Sequence, residues 1–370
     1  MDFRLQPASF AELPGWRDDD PSPLFAAVAR SRDHILGVKP YRTGSLGITA
    51  EDLLPAFEAA SLCQADAKSS RAFFESWFTP FRIEKKDGSA GFVTAYYEPE
   101  IEVRTERDDE YRFPFYRRPE DLVDLDDSNR PEGIDPYFAF ARREGGRIME
   151  YPDRAAIEQG FLSGRNLEIA YARSKVDVFF AHIQGAARLL YPDGSVRRIT
   201  YASKTGHRFF PIGKLLIERG EIEAATVSMA SIRDWLACHS AAVDEVLWHN
   251  RSFIFFREAP VEDIGLGPVA AAKVPLVAGR SLAVDRQIHT FGVPFFIDSP
   301  TLTHIDGGRP FRRLMLALDT GSAIVGPARG DIFTGSGDAA GDLAGHVRNE
   351  ADFYIFVPKT AVARLTHGQG

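Results

Sequence analysis

Apolar residues fall mostly in short runs along this chain, and Gly or Pro cuts the runs at close intervals. Residues 314–318 are a five-residue apolar run ending on Asp319-Thr320-Gly321, which predicts a buried strand. Residues 322–325 predict a second short strand, followed by a Gly/Pro-punctuated loop over 326–330 that delivers Asp331 just ahead of Ile332 and Phe333. Strands are also predicted over 91–99, 168–172, 176–180, 182–189, 251–257, 276–284, 291–297 and 353–357. Two apolar stretches around Asp193-Gly194 predict a hairpin. Close-spaced short strands in this middle region argue for a small all-β barrel. Helical spacing is rarer. Phe73, Trp77 and Phe81 recur at i, i+4 and i+8 and predict a helix over 69–81. Thr49 and Asp52 form a capping box ahead of Leu53, Leu54 and Phe57, and Pro23 opens a short helix. Shorter helices are predicted from Asp153 to a stop at Gly160, and over 211–219, 228–238 and 241–247.

Composition narrows the function classes. Of 370 residues, 44% are hydrophobic and 28 are Phe, enough for one large or two ordinary cores. The 31 Gly and 23 Pro favour short strands over long helices. Net charge is −8, and no basic run exceeds two residues, which argues against a nucleic-acid partner. Cys63 and Cys238 lie in no metal-like spacing, and the nine His include no HExxH, so neither a metal nor a cofactor is expected. No segment reaches the ~20 apolar residues of a membrane span, and the opening residues lack the basic-then-apolar order of a signal peptide. Residues 105–145 turn polar, acidic and Pro-punctuated, a candidate domain boundary.

The candidate chemistry is carboxylate chemistry. Asp319, Asp331, Asp338 and Asp342 fall within two dozen residues on a Gly-rich backbone that can approach a ligand closely. Crowded carboxylates push each other's pKa values apart, which divides acid and base roles; the bland alternative is turn and helix-capping duty. Thr94, Tyr96 and Tyr97, at the end of the 91–99 strand, offer the hydroxyl and aromatic surfaces that suit sugar rings. Asp319-Thr320-Gly321 after an apolar strand is also the local signature of an aspartic protease half-site, but a single-chain protease needs two and the sequence has one. Gly335, Gly337 and Gly341 imitate a dinucleotide loop without the required Gly at 340 or βαβ surroundings.

Five blocks then occur in order: Thr94-Ala95-Tyr96-Tyr97-Glu98-Pro99, His182-Ile183-Gln184-Gly185, Tyr201-Ala202-Ser203-Lys204-Thr205-Gly206, Asn250 with Phe253 to Phe256, and the block from Asp319 to Gly345. Together they resemble the membrane-bound lytic murein transglycosylase A family, glycoside hydrolase family 102, over roughly residues 90–358. The last block resembles its three-aspartate (3D) domain. The resemblance implies a mainly β fold with peripheral helices: a double-psi β-barrel catalytic domain from 1–104 and 249–370, with a smaller β-barrel domain, 105–248, inserted. It implies cleavage of the β-1,4 bond between N-acetylmuramic acid and N-acetylglucosamine of peptidoglycan, leaving a 1,6-anhydromuramic end. Asp331 matches the family's catalytic acid, and Asp319 sits by that match close enough to raise its pKa or orient it. The 326–330 loop would hug the glycan. Thr94, Tyr96, Gln184 and Lys204 match stretches lining the family's substrate groove, with Asp338 as a further contact. The resemblance also implies glycan strands as partner, with other cell-wall enzymes beyond them, a monomer, and a periplasmic, outer-membrane-associated location. No Cys precedes Cys63 to take the family's lipid anchor. The competing readings are an aspartic protease built on Asp319 and a non-catalytic glycan-binding module.

Overall fold

The computed structural model of the protein describes residues 2–261 and 263–367. The chain divides into two compact units, Met1–Tyr97 with Gly265–Gly370, and Glu98–Ile264. In chain order the first segment carries β1 (Phe3–Pro7), α1 (Leu24–Gly37), α2 (Ala50–Ala60), α3 (Ala67–Trp77), β2 (Phe78–Lys85) and β3 (Gly91–Glu98). Next come β4 (Glu100–Arg104), β5 (Phe113–Tyr116), β6 (Leu122–Asp124), β7 (Phe140–Glu144), β8 (Arg147–Met149), α4 (Arg154–Ala156) and β9 (Glu168–Ala172). They are followed by α5 (Lys175–Gln184), β10 (Ala186–Leu190), β11 (Val196–Lys204), α6 (Ile212–Glu218), α7 (Met229–Cys238), α8 (Val243–Trp248) and β12 (Ile254–Ala259). The last segment holds β13 (Ser281–Val284), β14 (Pro294–Ser299), β15 (Phe311–Asp319), β16 (Arg329–Ser336), α9 (Asp338–Gly345), β17 (Arg348–Pro358) and α10 (Lys359–His367). The protein is thus mainly β with helices around the sheets.

The first unit is built on an eight-stranded sheet in the order β1-β2-β17-β14-β15-β13-β16-β3, and β17 pairs additionally with β3. Its strands are apolar on both faces where they cross the middle: Leu314 to Leu318 and Phe353, Ile355, Phe356 and Val357 are all buried. A strand covered on both faces reads as a continuous apolar run rather than an alternation, which is why 314–318 stands out in the sequence. The capping box at Thr49 is present, its hydroxyl accepting from the Asp52 N–H.

Three expectations for this unit need correcting. The helix predicted over 69–81 stops at Trp77, and Phe78 and Phe81 belong to β2, paired with β17. Pro80 explains the switch, because it supplies no N–H and pushes the preceding residue out of the helical region. Residues 322–325 form a turn, closed by the Ile324 N–H on the Gly321 carbonyl, with Ile324 buried and Val325 exposed. Of 276–284 only Ser281–Val284 is strand; residues 277–280 turn, with the Arg280 N–H on the Val277 carbonyl.

The second unit holds a six-stranded sheet, β12-β11-β10-β4-β9-β5, and a small sheet, β6-β7-β8, whose first two strands lie within the polar stretch. An isolated bridge joins Arg117, just beyond β5, to Phe256 on β12. The hairpin at Asp193-Gly194 is present, with Leu190 opposite Val196. The strand predicted over 176–180 and the opening of the one predicted over 182–189, His182 to Gln184, are instead one helix, α5, and the rest of the second prediction, from Ala186, falls in strand β10. Ser174 caps it by accepting from the Asp177 N–H, and Gly185 ends it at φ 76°. The apolar positions Val176, Phe179, Phe180 and Ile183 carry the i, i+3, i+4, i+7 spacing of a helix rather than the two-residue alternation of a strand.

Candidate active site

The site grows out of the middle of the first sheet. β13 lies between β15 and β16, and one residue, Ala283, is opposite Asp319 on β15 and Asp331 on β16. Two interstrand spacings put the backbones of these aspartates about 10 Å apart. A bulge in the β13–β15 pairing between Leu282 and Ala283 brings Asp319 into that position. On β16 the two-residue alternation sets Arg329, Asp331 and Phe333 on one face, and on the neighbouring β3 it does the same for Thr94 and Tyr96. The Tyr96 ring packs on Phe333 at 5.4 Å.

The polar contacts are specific. The Thr94 hydroxyl donates to Asp331 Oδ1 in a short hydrogen bond, and Arg329 Nη2 donates to Thr94 Oγ1 at 2.7 Å. The Tyr96 hydroxyl donates to Asp319 Oδ2 at 3.0 Å, and the Ala271 N–H reaches Asp319 Oδ1 at 3.2 Å. A flat sheet would hold β3 and β15 about 14 Å apart, so this tyrosine bond requires the sheet to curl. The loop between the two aspartates is pinned along its length. Thr320 donates to the Val284 carbonyl, Asp285 Oδ2 accepts from the Gly326 N–H, His289 Nε2 meets the Pro327 carbonyl, and the Phe92 N–H reaches the Ala328 carbonyl. Burial lowers the pKa of His289 to about 4, so at neutral pH it donates as the neutral ring.

Burial pushes the Asp331 carboxyl above the usual aspartate value; Thr94 and Arg329 pull the other way, and the Asp319 charge adds to the rise. Asp319 is raised as well, again through burial, against the hydrogen bonds from the backbone and Tyr96. Burial and both carboxylates hold the Tyr96 phenol well above its ordinary value, so it remains a donor. The result is a buried carboxyl whose proton is held more tightly than an ordinary aspartate's, beside a second carboxyl and a phenol that can organise it.

Of the residues singled out in the sequence, Thr94, Tyr96, Asp319 and Asp331 come together here. Asp338 opens α9 and is exposed. Gln184 closes α5 and Lys204 ends β11, both in the second unit, with Lys204 Nζ 3.3 Å from the Tyr137 hydroxyl. Gly330 does not serve a close approach to ligand: a Cβ there would meet Leu282 Cδ1 at 2.8 Å and Phe353 Cε1 at 3.0 Å, so the core requires its smallness. The sequence pattern places Arg329 only in a loop. Its signal was its place two residues before Asp331, on the same face of a strand. Among the described residues no cluster of three or more His, Cys, Asp or Glu is arranged to hold a metal ion.

Comparisons with known proteins agree on one family. Residues 92–257 match the MltA specific insert domain and residues 280–357 match the 3D domain. The chain is 36% identical to the membrane-bound lytic murein transglycosylase A of Escherichia coli K12 over 306 residues, 80% of this chain and 72% of the relative. It superposes on the crystal structure of a membrane-bound lytic murein transglycosylase from Agrobacterium tumefaciens with a TM-score of 0.93 and 61% identity, covering 98% of this chain and 99% of that one. Against the crystal structure of E. coli MltA with bound chitohexaose the TM-score is 0.68 at 26% identity, over 95% and 90% of the two chains. With both domain matches and relatives this similar over most of their length, the chain belongs to the membrane-bound lytic murein transglycosylase A family.

Proposed function

We propose that this chain is a peptidoglycan lytic transglycosylase that cuts the β-1,4 bond between N-acetylmuramic acid and N-acetylglucosamine, with Asp331 as its single acid and base. The observation that carries the reading is the buried Asp331 carboxyl, with one oxygen tied to Thr94 and its pKa pushed up by burial and by Asp319. Asp331 gives its proton to the glycosidic oxygen as the bond to muramic C1 breaks. The muramic C6 hydroxyl then attacks C1, and the Asp331 carboxylate takes the hydroxyl's proton. The product is a 1,6-anhydromuramic end, no water is consumed, and the acid is regenerated. Most glycosidases need a second carboxylate to act as nucleophile or to activate water; here the substrate's own hydroxyl does that work. Asp319 serves instead to keep Asp331 protonated and to anchor Tyr96. Thr94 and Tyr96, with Gln184, Lys204 and Asp338, are the glycan contacts in this reading, and it uses no cofactor.

The same proposal extends to architecture and place. The pairing of β17 with both β14 and β3 supports a double-psi barrel for the catalytic domain, and the Arg117–Phe256 bridge supports a small barrel in the inserted one. Among the described residues no helix is long and apolar enough to cross a membrane. The relatives' membrane-bound name and a cell-wall substrate favour a periplasmic monomer associated with the outer membrane.

Mass spectrometry of fragments released from purified murein sacculi tests the reaction. The wild type should release muropeptides lighter by one water than hydrolysis gives, and Asp331→Asn should be slower by on the order of 10²–10⁴-fold. Reducing-end muropeptides would point to a water-using hydrolase and overturn the proposal. Peptide-bond cleavage would favour a protease, and binding without release would favour a glycan-binding module.

A further inference from the structure

Arg329 is the cation that sits beside Thr94 and Asp331, and nothing in its sequence context points to a role. It is half-buried, follows the pinned loop, and packs its guanidinium 5.7 Å from the Phe92 ring. One end of its fork engages the Gly330 carbonyl and the other the Thr94 hydroxyl. Among the described residues no carboxylate forms an ion pair with it, although Asp331 is close enough for the two charges to interact. An arginine fork held by two oxygen acceptors has a fixed direction, and a lysine could not reproduce it.

The consequence lies in counting donors. A threonine hydroxyl has one proton and two lone pairs. The Arg329 N–H occupies a lone pair of Thr94 Oγ1, and Asp331 Oδ1 is the one acceptor the Thr94 hydroxyl meets among the described residues. Its proton is therefore directed to Oδ1, which leaves Oδ2 as the oxygen able to carry the exchangeable proton.

We propose that Arg329 is a positioning residue that acts through the Thr94 hydroxyl: it fixes Oδ1 of Asp331 as an acceptor and assigns the transferable proton to Oδ2. This rests on Asp331 being the acid of the proposed reaction. Oδ2–H then protonates the glycosidic oxygen, and the same Oδ2 later takes the proton from the C6 hydroxyl, so one oxygen faces the glycan throughout. The arrangement also stabilises the ionised form formed midway, because the guanidinium charge reaches it through a polarised hydroxyl. The charged and titratable groups facing Asp331 are Asp319 on β15, Tyr96 on β3 and Arg329 on its own strand, while Lys273 acts on Asp319. Of these, Arg329 is the group that favours ionisation of Asp331.

The test reads Asp331 itself. In protein labelled with 13C at aspartate carboxyls, the Asp331 signal is assigned by its loss in Asp331→Asn and titrated by NMR. Arg329→Met should move that titration upward by about one pH unit or more. The alkaline limb of kcat/KM for muropeptide release should follow it, with kcat falling on the order of 10–100-fold from lost orientation. Thr94→Val should shift the titration in the same direction, and Thr94→Ser should restore it. Arg329→Lys, which keeps charge but not the fork, should restore it only in part. An Asp331 titration unchanged in folded Arg329→Met and Thr94→Val overturns the proposal. If the titration moves as expected while sacculi yield no anhydro product, the positioning role stands and the transglycosylase reading falls.

Discussion

Asp331 sits between a charge that repels its ionised form and one that attracts it. Asp319 raises its pKa and Arg329 lowers it, with burial as the largest influence on the side of Asp319. Removing Asp319 should therefore move the alkaline limb of activity in the opposite direction from removing Arg329. In Asp319→Asn the limb should shift to lower pH, leaving less of the acid protonated at neutral pH. A limb that stays in place would mean the two carboxyls are not coupled. Stability supplies a second readout. Asp319 has a raised pKa in the folded state, so the folded protein binds more protons than the unfolded chain between the ordinary value of 3.8 and the raised one. Its contribution to stability is lost as pH rises through that window. Asp319→Asn, which keeps an oxygen for the Ala271 N–H and a donor toward Tyr96, should melt higher than the wild type at pH 7. The difference should vanish below about pH 3, where both states are protonated. The two aspartates were legible in the sequence because they end and begin apolar strands. Arg329 was not, because a Gly-Pro-Ala-Arg-Gly string reads locally as a loop and gives no sign of which strand will lie beside it.

At the scale of elements, the site depends on how tightly β16 packs between its neighbours and the core. Gly330 alternates with Arg329 and Asp331, so it faces inward where they face the site. Leu282 and Phe353 fill the space a Cβ would need. Gly330→Ala should cost about 1–3 kcal/mol through overpacking, measured by chemical denaturation. Because the shift falls on the residue between Arg329 and Asp331, kcat should drop as well, with KM little changed. Unaltered stability would mean that Phe353 yields freely. This close packing gives Gly330 a structural reason of its own, apart from any approach of the loop to the glycan. Gly326 fits the loop role better, since its φ of 115° is open to glycine and nothing lies within 4 Å of its missing Cβ. Sequence periodicity found the apolar runs at the centres of β15 and β17, and misread α5, whose helical spacing was hidden by β-branched and aromatic residues usually found in strands. The turn at 322–325 was missed because a short apolar run cannot reveal that no partner strand is available to it.

At the scale of the whole molecule, the first unit is assembled from both ends of the chain, and no local pattern announces contacts made across more than 200 residues. One of these lies between Asp19 and Arg280. Asp19 accepts from Arg280 through both carboxyl oxygens, at 2.7 and 3.0 Å, and from the Leu314 N–H at 2.8 Å. Arg280 also donates to the Leu314 carbonyl, and both side chains are buried. Beside them Trp16 packs edge-on against Phe296 and Phe356, so the segment before α1 is fixed to the sheet by charge and by aromatic surface together. A buried pair of this kind adds little over a well-packed apolar substitute, but losing one member leaves an uncompensated charge. Asp19→Ala should therefore cost about 3–5 kcal/mol, seen as a fall of roughly 10 °C in the calorimetric transition of this unit. The folded fraction should keep its kcat, since Asp19 touches none of Thr94, Tyr96, Asp319 or Asp331. Replacing the pair together, Asp19→Leu with Arg280→Met, should recover part of the loss, because it removes the stranded charge and leaves only neutral backbone groups, the Leu314 N–H and the Leu314 and Asp20 carbonyls, to find new partners. If the double substitution is as unstable as Asp19→Ala, the pair is irreplaceable for its hydrogen bonds to the backbone rather than for its charge.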